Sequence, residues 1–176
     1  MEKFKKWLNR VFIDGLSGMA LGLFSTLIIG TIIQQIGLLI GGNIGDTLYL
    51  LGKFASAMTS AGIGVGVAYK FRAPPLVVLS AATAGMVGGF ASKILSESIL
   101  VENVIHLDGP GEPLGAFLAA YAAIEAGHFV SGKTKIDILV TPLTTIVIGC
   151  IVGLLAGPPI SNFMTGLGAI VNWGTE

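Results

Sequence analysis

Tyr121, Glu125 and His128 lie within one apolar stretch, and their types and spacing could support chemistry. Side chains three or four residues apart on a helix project from similar faces, so these three would lie together. Ionisable groups inside a bilayer are costly and usually face a cavity or a partner, so Glu125 could bind solute hydroxyl groups or exchange a proton. Alternatively, His128 could sit at the headgroup level, and Glu125 could pair there with Lys133 or Lys135. We treat the first three residues as candidates for substrate binding.

No pattern in the chain indicates a metal site or a catalytic residue. Glu125 and His128 match the Glu-x-x-His pattern of di-iron bundles, but that chemistry needs further carboxylates from facing helices, which the other apolar segments lack. The chain has no phosphate-binding glycine loop with lysine, no nucleophile elbow and no zinc-protease motif. The single cysteine, Cys150, lies in an apolar run, where it is a small packing residue. We therefore expect no cofactor and no metal.

Further positions are candidates for contact with a polar solute. Glu112 precedes a proline, so its carboxylate could instead favour the positive start of a helix. Thr141, Gln34 and Gln35 could hydrogen-bond a solute or another helix. Gly64 is the middle one of three alternating glycines that weaken a helix locally, and discontinuous helices are where transporters place substrate sites.

The composition indicates that these residues lie in a lipid bilayer. Of the 176 residues, 53% are hydrophobic and 11% are charged, and the mean hydropathy is +0.84. A water-soluble domain of this size does not need such an apolar excess. Ten basic and ten acidic residues cancel, which removes the electrostatic argument for a nucleic-acid partner.

The apolar segments predict an all-α transmembrane bundle. A bilayer core of roughly 30 Å needs roughly 20 apolar residues in a helix. Five stretches qualify, at 15–40, 47–69, 74–95, 113–130 and 136–156. Together they form one predicted domain over 15–157, and the last span should end at the Gly157-Pro158-Pro159 breaker. Residues 1–14 predict an amphipathic helix in the membrane interface, and 158–176 an interfacial or re-entrant segment that starts the next element.

The basic residues predict the orientation of this bundle. Short loops retained in the cytoplasm are enriched in lysine and arginine. Eight of the ten basic residues lie before the first span, between the second and third, or between the fourth and fifth: Lys3, Lys5, Lys6, Arg10, Lys70, Arg72, Lys133 and Lys135. We expect the amino terminus inside and the carboxyl terminus outside.

Glycines at a spacing of four residues form stripes along three of the predicted spans. They are Gly18 and Gly22, Gly62 and Gly66, and Gly149, Gly153 and Gly157. Small residues at this spacing let helix backbones approach closely in lipid. We interpret the stripes as packing surfaces; the alternative is that they line a substrate path.

Several motifs together resemble a known family. They are FIDGLSGMALGLF at 12–24, GAF at 115–117, SGKTKIDILVTP at 131–142, GPPIS at 157–161 and TGLGA at 165–169. The chain resembles the bacterial phosphotransferase-system enzyme IIC-like membrane permeases, and it looks like their amino-terminal half. The resemblance implies passage of a sugar or related small polar solute across the bacterial cell membrane, with phosphorylation carried out by separate soluble components.

The predicted topology adds an expectation about partners. An odd number of spans reverses the orientation of the unit that follows, and inverted repeats form transport sites between them. We expect a second five-helix repeat, from another chain or from further sequence, and a homo-oligomer that works by alternating access. The alternative function is a non-transporting membrane assembly or regulatory subunit, whose polar residues only organise helix contacts.

Overall fold

The computed structural model describes residues 2–175, so Met1 and Glu176, the outer ends of the predicted first and last segments, lie outside the described residues. The described chain is almost entirely helical, as predicted. Its helices are α1 (Glu2–Asn9), α2 (Leu16–Leu23), α3 (Ile29–Ile40), α4 (Gly42–Ala57), α5 (Thr59–Lys70), α6 (Pro75–Gly89), α7 (Ala91–Leu95), α8 (Pro113–Val130) and α9 (Asp137–Thr175). A two-stranded antiparallel hairpin, β1 (Leu100–Val101) and β2 (Val104–Ile105), lies between α7 and α8.

The first three helices form one long helix. Two π-helical stretches, Arg10–Gly15 and Phe24–Ile28, join them without a break, and the helix Phe4–Ile40 is long and apolar enough to cross a membrane. The helix ends where Gly41 adopts a φ of 66°, a conformation that glycine reaches without steric strain. No break therefore separates the predicted interfacial segment from the first span, and the interfacial position of that segment stays a prediction.

The second predicted span consists of two helices, α4 and α5, which meet at Met58 with a bend of 50°. The sequence predicted weakening at Gly62, Gly64 and Gly66, but the bend comes earlier, at Met58. The Thr59 hydroxyl donates a hydrogen bond of 2.6 Å to the Ser56 carbonyl oxygen. Such a side-chain bond competes with the backbone ladder of a helix, which accounts for the position of the bend.

The prediction of five spans is wrong for the described residues. Three helices, Phe4–Ile40, Pro113–Val130 and Asp137–Gly174, are long and apolar enough to cross a membrane, and the bent pair makes up to four. The third predicted span contains α6, which has 15 residues. At 1.5 Å per residue α6 rises about 22 Å, which is less than the thickness of the hydrocarbon core.

After α6 the chain leaves helical geometry for most of the way to α8. Helix α7 is only five residues long. In the hairpin that follows, Glu102 and Asn103 both have positive φ, which is the geometry of a tight two-residue turn between antiparallel strands. An extended segment, residues 106–112, then leads into α8, whose bounds match the predicted 113–130.

Helix α9 continues through Pro158 and Pro159, where the sequence predicted the end of the last span. Each proline removes one backbone donor, so the carbonyls of Leu154 and Leu155 lose their helical hydrogen bonds. Membrane helices tolerate such prolines because local adjustment and neighbouring groups satisfy the freed carbonyls. The apolar sequence on both sides sustains the helix, so the prolines do not end it.

Helices α5, α6, α8 and α9, together with the first long helix, form the packed body. Its buried core consists largely of small or branched side chains: Ile63, Val67, Ala68, Phe71, Val77, Ala81, Ala116, Phe117, Ala120 and Ile124. Glycines bring the backbones into contact. A Cβ on Gly18 would lie 2.6 Å from the Gly66 carbonyl oxygen, and one on Gly153 would lie 2.9 Å from the Cα of Gly88.

Candidate functional site

A cavity of about 550 Å³ opens at the bend between α4 and α5. Its lining comes from three parts of the chain: the first long helix, the end of α4 with Met58, and the extended segment before α8. The lining residues are Leu27, Thr31, Gln34, Leu50, Lys53, Phe54, Ser56, Ala57, Met58, Leu107, Asp108, Gly109 and Pro110. Pockets for small molecules fall in this size range and combine apolar walls with a few polar groups.

Gln34 and Ser56 form a polar pair in the cavity wall. The Gln34 amide nitrogen donates to the Ser56 hydroxyl at 2.9 Å and to the Gly30 carbonyl at 3.3 Å. A Cβ on Gly30 would lie 2.5 Å from the Ser56 hydroxyl oxygen, so only glycine allows α3 and α4 to approach this closely. The Gln34 side-chain oxygen has no donor among the described residues and can accept a hydrogen bond from a ligand.

The extended segment is held against the body at three points. The Ser60 hydroxyl, at the start of α5, donates to the Pro110 carbonyl at 2.7 Å. The Glu112 backbone N–H donates to the Gly89 carbonyl at 2.7 Å, and the Lys93 ammonium donates to the Asp108 carbonyl at 2.9 Å. Two glycines with φ of 80° and 75°, at 109 and 111, give the segment its shape.

The predicted candidates on α8 lie together, but at a different place from the cavity. The Glu125 carboxylate lies 2.8 Å from the Arg10 guanidinium, so its partner is neither of the lysines that the sequence offered. The Trp7 indole N–H donates to the Tyr121 hydroxyl at 2.9 Å. The Arg10 guanidinium also lies over the Phe71 ring, 4.6 Å from its centroid. The amino-terminal end of the first long helix therefore engages both Tyr121 and Glu125.

His128 lies on the same helix, and its Nε2 atom is buried without a hydrogen-bond partner among the described residues. Buried polar atoms are usually paired, so this imidazole nitrogen is available to a ligand or to a further polar group. It does not join the contacts that Arg10 and Trp7 make with Glu125 and Tyr121.

The other predicted candidates are spread over the bundle. Gly64 packs so closely on Ala81 that a Cβ would collide with the Ala81 carbonyl oxygen. The buried Thr141 donates a hydrogen bond of 2.6 Å to the Asp137 carboxylate at the start of α9. Glu112 ends the extended segment next to α8, although its side chain does not line the cavity.

Lys53, Ser56 and Asp108 line the cavity and were not among the predicted site residues. Gln34 and Glu112 were candidates from the sequence, but the sequence did not show that Gln34 lies near the segment that ends at Glu112, because the two residues are more than seventy positions apart. The sequence signal for this part of the cavity was local. Gly109, Pro110 and Gly111 form a turn between two carboxylates, Asp108 and Glu112, and apolar segments lie on both sides.

A comparison with models of protein families identifies the family of this chain. The family model described as Phosphotransferase system, EIIC matches residues 13–176, which is nearly the whole chain. No match was found among curated proteins or among solved structures. The match and the long apolar helices agree with each other: the protein is an integral membrane protein and belongs to the phosphotransferase system EIIC family.

Proposed function

We propose that this protein moves a sugar or related small polar solute across the bacterial cell membrane by alternating access, and that the solute binds in the cavity at the α4–α5 bend. The observation that carries the proposal is the contact of the extended segment with the bend between α4 and α5. Broken helices and unwound backbone are the features from which membrane transporters build solute sites.

The depth of the cavity supports this proposal. From Asp14 to Ile40 the first long helix rises about 39 Å at 1.5 Å per residue, close to the 40–45 Å of a bilayer with its headgroups. The lining residues Leu27 and Gln34 lie about 20 Å and 30 Å along it from Asp14. Non-helical backbone at such a depth is tolerated where it is buried in protein or lines a water-filled cavity. The extended segment satisfies that condition by facing this cavity.

The chemistry of the lining suits a neutral polyhydroxyl solute. Gln34, Ser56 and Thr31 supply amide and hydroxyl groups, and Lys53 with Asp108 adds one cation and one carboxylate. Phe54 and the leucines of the wall supply apolar surface. A sugar presents hydroxyl groups at its edge and C–H groups on its ring faces, so it matches a wall of this mixed kind.

A role for Glu125, His128 and Tyr121 in solute binding stays a prediction. Because Arg10 and Trp7 hold two of them in this conformation, a solute would reach them only after the amino-terminal end of the first long helix moved away. Alternating access requires rearrangements of this kind, so the cluster is a candidate for a contact that breaks during transport.

We also propose that a second unit, from another copy or from further sequence, completes the cavity. The lining comes from only three parts of one unit. On the outer surface, α3, α4 and the last part of α9 present large apolar side chains, including Leu39 at 85% and Trp173 at 82% exposure. A partner helix bundle or lipid must cover these surfaces.

The test compares two neighbouring glutamines. In purified protein, sugars that bind should raise the thermal unfolding midpoint. Gln34→Leu should abolish that stabilisation, whereas Gln35→Leu, an exposed neighbour outside the cavity, should retain it. Retention in both variants would contradict the cavity assignment. Loss in Glu125→Gln with retention in Gln34→Leu would move the solute site to α8.

Oligomeric mass and solute uptake complete the test. A dimer or larger particle with solute-dependent stability would support transport by a completed site. A well-folded assembly with no response to any sugar in the panel, and no uptake in vesicles, would favour the regulatory or assembly function instead.

A further inference from the structure

A second concave site lies at the end of the bundle that carries most of the basic residues. It has a volume of about 620 Å³. Its lining residues are Asp14, Tyr69, Lys70, Arg72, Ala73 and Val78. None of them lines the cavity at the α4–α5 bend, and Ser60, at that bend, lies about 15 Å from Lys70 along α5. The two sites are therefore distinct.

The pocket brings two cations and one carboxylate together without a direct ion pair between described side chains. Among the residues that the structure describes, neither Lys70 nor Arg72 has a carboxylate within 4.0 Å, and Asp14 has no cation within that distance. The pocket thus holds two unpaired cations, one carboxylate and the Tyr69 phenol, with a net charge of +1. An unpaired arginine and lysine in one concavity form a site for an anion.

The backbone conformation of Arg72 is a second observation that favours a binding role for this pocket. The Ala73 N–H donates to the Ala68 carbonyl at 2.9 Å and the Arg72 N–H donates to the Tyr69 carbonyl at 3.0 Å, which is the Schellman pattern that ends many helices. In this pattern the left-handed residue is usually glycine, but here it is Arg72, with a φ of 53°. Within the part of the chain that the structure describes, the arginine side chain is exposed, so its own burial does not offset the cost of this backbone conformation.

We propose that this pocket binds a phosphate group. A guanidinium donates two parallel hydrogen bonds to phosphate oxygens, and a lysine ammonium adds a compact positive charge beside it. The Tyr69 hydroxyl can donate a further bond. Asp14 can accept from a hydroxyl group next to the phosphate, which suits a phosphate ester better than the bare ion. The ester is either a soluble phosphate monoester or the headgroup of an anionic lipid.

The experiment uses the full chain in nanodiscs and removes the two cations. Lys70→Gln with Arg72→Gly is compared with Lys133→Gln with Lys135→Gln, a matched loss of two exposed cations on another loop. The Arg72→Gly change should not unfold the protein, because glycine favours the left-handed conformation. Inorganic phosphate and glycerol 3-phosphate serve as soluble probes in phosphatidylcholine nanodiscs, at constant ionic strength. Phosphatidylglycerol nanodiscs serve as the lipid probe.

The pocket variant should bind its phosphate probe at least tenfold more weakly than wild type, and the matched control should change less than twofold. Loss of glycerol 3-phosphate binding would identify a soluble ester as the ligand. Loss of the stabilisation given by phosphatidylglycerol, with no soluble binding in wild type, would identify the lipid. Equal responses of the pocket variant and the control to every probe would overturn the proposal.

Discussion

The free energy of unfolding of Gly22→Ala should show how much the close contact between α2 and α5 contributes to stability. Gly22 is buried, and a Cβ at this position would collide with the backbone of Gly62 and Ile63. Backbone atoms cannot rotate away as a side chain can, so Gly22→Ala must push the two helices apart. In lipid, where the hydrophobic effect between helices is absent, close packing is a main source of helix association.

The magnitude follows from two opposing effects. Forcing extra atoms into a packed core costs about 1–3 kcal/mol. Replacing glycine by alanine inside a helix gains about 1 kcal/mol, because alanine has the higher helix propensity. The control is Gly166→Ala within α9, where a Cβ meets nothing within 4 Å and only the gain applies. The free energies of unfolding of the two variants should therefore differ by about 1–3 kcal/mol, with Gly22→Ala the less stable.

The measurement is unfolding of both variants in mixed detergent micelles, followed by circular dichroism, with refolding checked for each. The comparison holds the chemical change constant, so the difference reports the contact alone. If Gly22→Ala were as stable as Gly166→Ala, α2 and α5 would not be in backbone contact in the membrane protein, and the arrangement that places the extended segment beside the α4–α5 bend would lose its support.

Three further predictions concern single contacts. Ser60→Ala should lower the unfolding free energy by about 1–3 kcal/mol, because the Pro110 carbonyl loses its donor; hydrogen exchange at 107–112 should rise, and unchanged exchange would contradict the contact. Arg72→Gly should raise stability by about 1 kcal/mol by relieving left-handed strain, as thermal unfolding can verify; a destabilised variant would refute it. Glu125→Gln should cost less than about 1 kcal/mol, since both partners are about 40% exposed, and this loss should shrink in high salt.

The sequence predicted the all-helical membrane fold better than it predicted where individual helices end. Pro113 and the polar residues after Val130 bounded α8 clearly, because proline fits a first helical turn and the following turn is polar. The apolar run after Pro75 gave no sign that α6 stops at Gly89, since hydropathy does not reveal a break between two consecutive helices such as α6 and α7. The prolines at 158 and 159 led to the wrong prediction that the helix ends there. Each proline removes one backbone donor, but the apolar sequence on both sides keeps α9 helical.

The site was harder to predict because its parts are distant in sequence. The sequence indicated that Glu125 needs a partner and that Gln34 can hydrogen-bond a solute or another helix, but it did not name Arg10 or Ser56 as their partners. Those pairings depend on which helices lie side by side, and the packing of the whole bundle decides this. A single sequence shows that an ionisable residue in a membrane needs a partner, but it does not show which residue that partner is.

The glycines connect the packing of the bundle to the candidate site. Ser60 reaches the extended segment because Gly89 and Gly111 leave room for its hydroxyl; a Cβ on Gly111 would lie 2.5 Å from that oxygen, and one on Gly89 would collide with it. The same hydroxyl holds the segment at Pro110, on the wall of the cavity. A larger residue at either glycine would therefore displace the segment and reshape the cavity without touching a polar lining group. Glycines on the packing surfaces thus also set the geometry of the cavity to which we assign solute binding.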